Sequence, residues 1–87
     1  GELLARVARE ARRVDIKCAA IKRIFDQELL KEFARGENGE IREAAIKKLN
    51  DQMLIEYIAL NDCVSKVRVA AVIKLKKVSS AVLQATE

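Results

Sequence analysis

The chain contains no histidine, no proline and no tryptophan. Without histidine it lacks the commonest general base and the commonest metal ligand, which argues against acid–base catalysis and a metal centre. Without proline, and with glycine only at 1, 36 and 39, nothing interrupts helices for most of its length. Phe25, Phe33 and Tyr57 are the only aromatics, too few for a base-stacking surface. Cys18 and Cys63 cannot form a disulfide-rich scaffold. No apolar run approaches the roughly 18 residues of a membrane span. Glu2, Arg6 and Arg9 break the opening segment, so it lacks a signal-peptide layout. There is no Cys-x-x-Cys, no Gly-rich phosphate loop and no Gly-x-Ser-x-Gly. What remains is an 87-residue chain, 51% apolar and 34% charged, with 17 basic and 13 acidic residues and a net charge of +4. That is one domain, too apolar for disorder. The composition suits an all-helical, non-enzymatic chain and implies no cofactor.

The chain repeats. Residues 16–24 (IKCAAIKRI), 41–49 (IREAAIKKL) and 67–75 (VRVAAVIKL) align at offsets of 25 and 26. A second block, 2–8 (ELLARVA), 28–34 (ELLKEFA) and 53–59 (MLIEYIA), alternates with the first. A fixed period over nearly the whole chain means stacked supersecondary units. The repeats cover about 2–24, 27–49 and 51–76, followed by a C-terminal segment 77–87, all in a single domain 1–87. The chain opens on Gly and enters the first repeat after its helix cap, which fits a piece of a longer array.

Both blocks read as amphipathic helices. In the A block the apolar residues, such as Leu29, Leu30, Phe33 and Ala34, share one face at a 3.6-residue period. In the B block they fall at positions 1, 4, 5, 6 and 9, as in Ile41, Ala44, Ala45, Ile46 and Leu49. The paired alanines let neighbouring helices approach closely. The pattern predicts A helices at 2–12, 27–35 and 51–60, B helices at 15–24, 40–49 and 66–76, and a weak last helix at 79–86. Asp15, Asn50 and Ser65 are candidate N-caps, and Gly36 and Gly39 bracket a turn. In the first A helix Leu3, Leu4, Val7, Ala8, Ala11 and Val14 make one stripe.

The pattern Asp62…Val67-Arg68-x-Ala70-Ala71-x-x-x-Leu75, following Leu54-Ile55-x-x-Ile58-Ala59, resembles HEAT repeats. The resemblance spans 2–76 in three copies. It implies an all-α, right-handed α-solenoid of three stacked hairpins, with B helices on the concave side, A helices on the convex side, and a role in binding macromolecules. It also implies an Asp–Arg ladder between repeats. The 25- to 26-residue period is shorter than the roughly 40–47 residues usual for such repeats.

Basic residues recur in register. Each B helix has one at its second position (Lys17, Arg42, Arg68) and one at its eighth (Arg23, Lys48, Lys74). Both flank the apolar face, where one repeat meets the next. The structural reading is inter-repeat wiring, with Arg68 reaching carbonyls and Asp62 and Arg42 reaching Glu37. The functional reading is an anion-binding stripe. Arg6, Arg9, Arg12 and Arg13 cluster on the first helix, either as a polar cap on the stack or as a contact patch for nucleic acid or another polyanion.

The third repeat departs from the other two. Where the earlier A helices carry Glu2/Arg6/Arg9 and Glu28/Glu32/Arg35, the third carries Met53/Tyr57/Leu60. Where the earlier B helices carry Cys18/Lys22 and Glu43/Lys47, the third carries Val69/Ile73. A helix apolar nearly all round is normally buried on both sides. Three arrangements answer this: segment 78–83 folds back over one stripe, the chain self-associates, or a protein partner docks there. The functional expectation is a protein-interaction or assembly module using Met53, Tyr57, Leu60, Val69 and Ile73. Nucleic-acid binding is the alternative, and no membrane is involved. Cys18 and Cys63 lie two units apart, too far for a bridge, and free thiols point to the cytoplasm.

Overall fold

The computed structural model describes residues 2–86, with side chains through Lys77. The described residues form six α-helices and no strand: α1 (Glu2–Glu10), α2 (Val14–Ile21), α3 (Gln27–Ala34), α4 (Gly39–Ile46), α5 (Gln52–Asn61) and α6 (Ser65–Thr86). None is long and apolar enough to cross a membrane.

Helix starts follow short polar side chains. Asp26 accepts hydrogen bonds from the Glu28 and Leu29 amides, Asn38 from those of Glu40 and Ile41, and Asp51 from that of Leu54. Each satisfies amide donors that the first helical turn leaves without an intrahelical partner. These three, and not Asn50, Asp15 or Ser65, are the side-chain caps. Asp15 lies inside the first turn of α2 and accepts from the Ile16 amide. The residue capping α2 is Arg13, whose side chain makes no cap bond. Before α6, Asp62 accepts from the Val64 amide.

The first two B helices end about three residues earlier than the periodicity predicts. After Ile21 the Arg23 and Ile24 amides bond to the carbonyls of Ala20 and Ile21, a tighter i to i−3 turn. The last helix departs in the other direction. No separate helix begins at 79; α6 runs from Ser65 to Thr86 without a break. Position 77 aligns with the caps Asp26 and Asp51 but holds lysine. Extending an existing helix costs less than nucleating a new one, so the chain continues straight on instead of turning.

Consecutive helices pack as hairpins, α1 on α2, α3 on α4 and α5 on α6. The hairpins then join mainly through their second helices, α2 on α4 and α4 on α6. One core runs through all three, with Ile21, Leu30, Ile46, Leu49, Ile55 and Val67 fully buried. Ala20, Ala45 and Ala71, at the same B-helix position, are buried in every copy, where a small side chain permits close helix approach. Gly39 belongs to this close packing. It is the first residue of α4, and a Cβ there would stand 3.2 Å from Val64 Cγ2 in the α5–α6 turn. Neither Gly36 nor Gly39 adopts a positive φ, so the α3–α4 turn does not depend on a left-handed residue. The molecule measures 44 × 29 × 16 Å. In α1 the expected core stripe is only partly engaged. Ala8 is buried and Leu4 half-buried, while Leu3 and Val7 remain exposed.

Candidate functional site

The basic residue at the second position of each B helix turns back to its own hairpin. Lys17 Nζ donates to the Arg9 carbonyl at 3.3 Å, and Arg68 Nη1 donates to the Asp62 carbonyl. Arg42 does more. Its Nη1 donates to the Gly36 and Glu37 carbonyls at 3.0 and 2.9 Å. Its Nε and Nη2 grip both carboxylate oxygens of Asp62, at 2.8 and 3.0 Å. The two side chains are 11% and 6% exposed, so the fork ties the second hairpin to the third in a largely dry setting. The Arg42 guanidinium, against some cost of burial, holds the Asp62 carboxyl below the usual carboxylate range.

The eighth B position forms a second ladder. Lys48 Nζ donates to the Lys22 carbonyl at 2.6 Å, and Lys74 Nζ to the Lys47 carbonyl at 3.0 Å. Lys22 and Lys47 are the C-cap residues of α2 and α4, where carbonyls lack intrahelical donors and the helix dipole favours a cation. Lys48 Nζ also stands 3.6 Å from the centre of the Phe25 ring. Gln27 adds a bridge, donating to the Lys48 carbonyl and accepting from the Asn50 amide.

The arginines of the first helix and its turn are mostly engaged with acids. Arg6 pairs with Glu10 at 2.8 Å, Arg9 with Glu32 at 3.1 Å and Arg13 with Asp15 at 3.0 Å. Arg12 is exposed and pairs with no carboxylate among the described residues. The cluster is therefore interleaved with negative charge and is not a bare positive face.

The apolar positions of the third hairpin fall on two separate surfaces. Met53, Tyr57 and Leu60 are exposed on α5, and Val69 and Ile73 are exposed on α6. Tyr57 lines a groove with Arg35, Leu54 and Asn61 between α3 and α5. Val69 and Ile73 line a different groove of about 620 Å³ between α4 and α6. Ala70 completes its floor, Lys47, Lys66, Lys74 and Lys77 surround it, and Glu43 stands at one wall. Glu43 holds Lys47 at 3.5 Å and Lys66 at 3.7 Å. The backbone of segment 78–83 continues α6 and its side chains lie outside the described residues; no described side chain covers either stripe. The lysine rim is hard to see in the sequence because its members come from two helices. The usable signal is the aligned third and seventh B positions, which run Cys18/Lys22, Glu43/Lys47 and Val69/Ile73.

Neither cysteine is bonded to the other. Cys18 lies against the Glu40 carbonyl at 3.7 Å. Burial, with Glu40 adding to it, pushes its thiol above the ordinary value, away from the thiolate that a nucleophile needs. No group of three His, Cys, Asp or Glu side chains among the described residues is placed to hold a metal ion. No protein-family model, curated protein or solved structure matches this chain.

Proposed function

We propose that the chain is a short-repeat, HEAT-like right-handed α-solenoid that works as a non-catalytic protein-interaction module. Three observations support the architecture: the 25- to 26-residue period, the hairpin order, and the row of α2, α4 and α6 that joins the hairpins. A row packed more closely than its partner row lies on the inner side of a curve, which makes the B helices the concave side.

The observation that carries the function is the α4–α6 groove. Its size falls within the roughly 300–1,000 Å³ of ordinary binding clefts. Its floor of Val69, Ala70 and Ile73 is apolar, and its rim is mainly lysine. The occupant this fits is a segment of another protein that presents aliphatic side chains to the floor and carboxylates to the rim, as an amphipathic helix does. Met53, Tyr57 and Leu60 form a secondary contact on α5.

A fluorescein-labelled amphipathic peptide, with Leu at i, i+3, i+4 and i+7 and Glu on its flanks, tests this by polarisation. The wild-type chain binds it, Ile73→Glu weakens binding at least about tenfold, and Tyr57→Glu has a smaller effect. Equal binding by the wild type and Ile73→Glu, or no binding by either, removes the groove as the site. Polyanion binding through Arg6, Arg9, Arg12 and Arg13 has less support, because three of the four already hold carboxylates. A steep fall of DNA affinity with salt would reinstate it.

A further inference from the structure

The groove between α4 and α6 has a feature that its lysine rim does not account for. Glu43 is the one carboxylate among the described residues that line it, against Lys47, Lys66, Lys74 and Lys77. It also lines the neighbouring groove between α2 and α4, so it stands on the ridge that separates the two. Its side chain is 18% exposed, whereas those of Lys47 and Lys66 are 64% and 69% exposed. The lysines approach it only to 3.5 and 3.7 Å, longer than the roughly 2.7–2.9 Å of a charge-assisted hydrogen bond. Asp62 makes the contrast, with its carboxylate gripped by Arg42 at 2.8 and 3.0 Å. Glu43 is held loosely by two long side chains that solvent screens, and it keeps room for a further donor.

The groove is walled on both sides within the molecule, so its opening does not depend on a missing neighbour. The α2–α4 groove, of about 280 Å³, stays open although α6 packs against the far side of α4. Stacking a hairpin beyond a pair of B helices therefore does not fill the groove between them.

A segment docked over Val69, Ala70 and Ile73 takes water from Glu43 as well as from the rim. A carboxylate that loses water is costly unless a donor takes its place. Each rim lysine that turns to a carboxylate of the segment also takes counter-charge from Glu43. An acidic side chain opposite Glu43 adds like-charge repulsion to that cost. A lysine or arginine there supplies the missing hydrogen bond and restores the counter-charge.

We infer that Glu43 sets the specificity of the groove: its occupant is an acidic amphipathic segment that carries one basic residue at the position facing Glu43. That role rests on the proposed peptide site and goes beyond it. Discrimination lies in where a single positive charge falls, and not in total charge alone.

The fluorescein-labelled peptide with Leu at i, i+3, i+4 and i+7 is the parent for the test, and each flanking Glu is changed to Lys in turn. The variant peptides then share one net charge and differ only in where the lysine stands. For the wild-type chain, lysine at one position should tighten binding at least about fivefold over the parent, and lysine elsewhere should weaken it. Glu43→Gln should abolish that gain and bind the parent about threefold more tightly than the wild type does. Its urea midpoint should stay near the wild-type value, because pairs with exposed lysines add little stability. Ile73→Glu should weaken every member of the set, which ties the set to the groove. If Ile73→Glu weakens the parent but no position favours lysine, Glu43 loses this role and the groove remains the site. A lysine preference that persists in Glu43→Gln overturns the role as well. Binding that Ile73→Glu leaves unchanged, or no binding at all, removes the groove and the role of Glu43 with it.

Discussion

Arg42 donates two hydrogen bonds to the Asp62 carboxylate and two to turn carbonyls, and its Nη2 makes a longer contact to Cys63 Sγ at 4.0 Å. Removing it strands a carboxylate that is only 6% exposed, and breaking such a pair costs about 3 kcal/mol. Arg42→Met should therefore lower the urea midpoint sharply, and Arg42→Lys should recover only part of the loss because an ammonium cannot reproduce the planar fork. The pair also sets an acid limit. The folded Asp62 carboxyl is lowered, first by Arg42. The folded Asp51 carboxyl is lowered too, first by the Leu54 amide and then, after a cost of burial, by Lys31. As pH falls, the unfolded chain takes up these protons before the folded one does. Their contribution is full above the unfolded carboxyl pKa of about 4 and disappears as pH falls through the lowered folded values. Stability measured between neutral pH and pH 3 should bend downward in that window, and Asp62→Asn should flatten the bend. An unchanged acid limb in Asp62→Asn would count against this account.

At the scale of the element, capping explains both where helices start and where one fails to stop. Asn38 accepts from two amides at the head of α4, so Asn38→Ala should cost about 1 kcal/mol. The α2 cap position has extended backbone but carries Arg13, with no side-chain cap bond. Its exposed pair with Asp15 is worth little. Arg13→Ser should therefore stabilise the chain by about 0.5–1 kcal/mol, read from denaturant midpoints at constant slope. Equal or lower stability in Arg13→Ser would show that the Asp15 contact matters more than a cap. The A and B helices were legible from their apolar period, and their ends were less so. Asp26, Asn38 and Asp51 all precede their helices directly, a regularity as visible as the alanine pairs. The run-on of α6 could be traced to the lysine at 77 only once the caps at 26 and 51 were known.

At the scale of the molecule, α4 is the central element, packed against α2, α3 and α6. Ile46 is fully buried within it. Ile46→Ala should cost about 2–5 kcal/mol, a large share of the roughly 4–13 kcal/mol that a domain of this size commands. Thermal melts should show a single transition moved far down or an unfolded chain at room temperature. A loss no greater than that of an exposed site such as Ile73→Ala would deny α4 its central place. The same scale decides the candidate sites. The third-repeat stripes were readable in the sequence as apolar where the other copies are charged. That they open onto two different grooves was not, because the groove at Val69 and Ile73 takes part of its wall from α4.

By itself the sequence determined the helices, their alternation and the residues that face inward, because periodicity and small-residue pairs are local properties of the chain. It also marked the repeat positions at which charge recurs. Only the tertiary structure decided what those charges meet. Lys48 and Lys74 reach carbonyls of the preceding B helix, Arg42 reaches a carboxylate on the next hairpin, and Arg9 reaches Glu32. Each partner lies 20 or more residues away, set by how hairpins stack and not by any spacing along a helix. Exposure was decided there as well: Leu3 and Leu29 are the same residue type at the same repeat position, yet one is 78% exposed and the other 8%, because burial depends on how the helices pack and not on the repeat pattern.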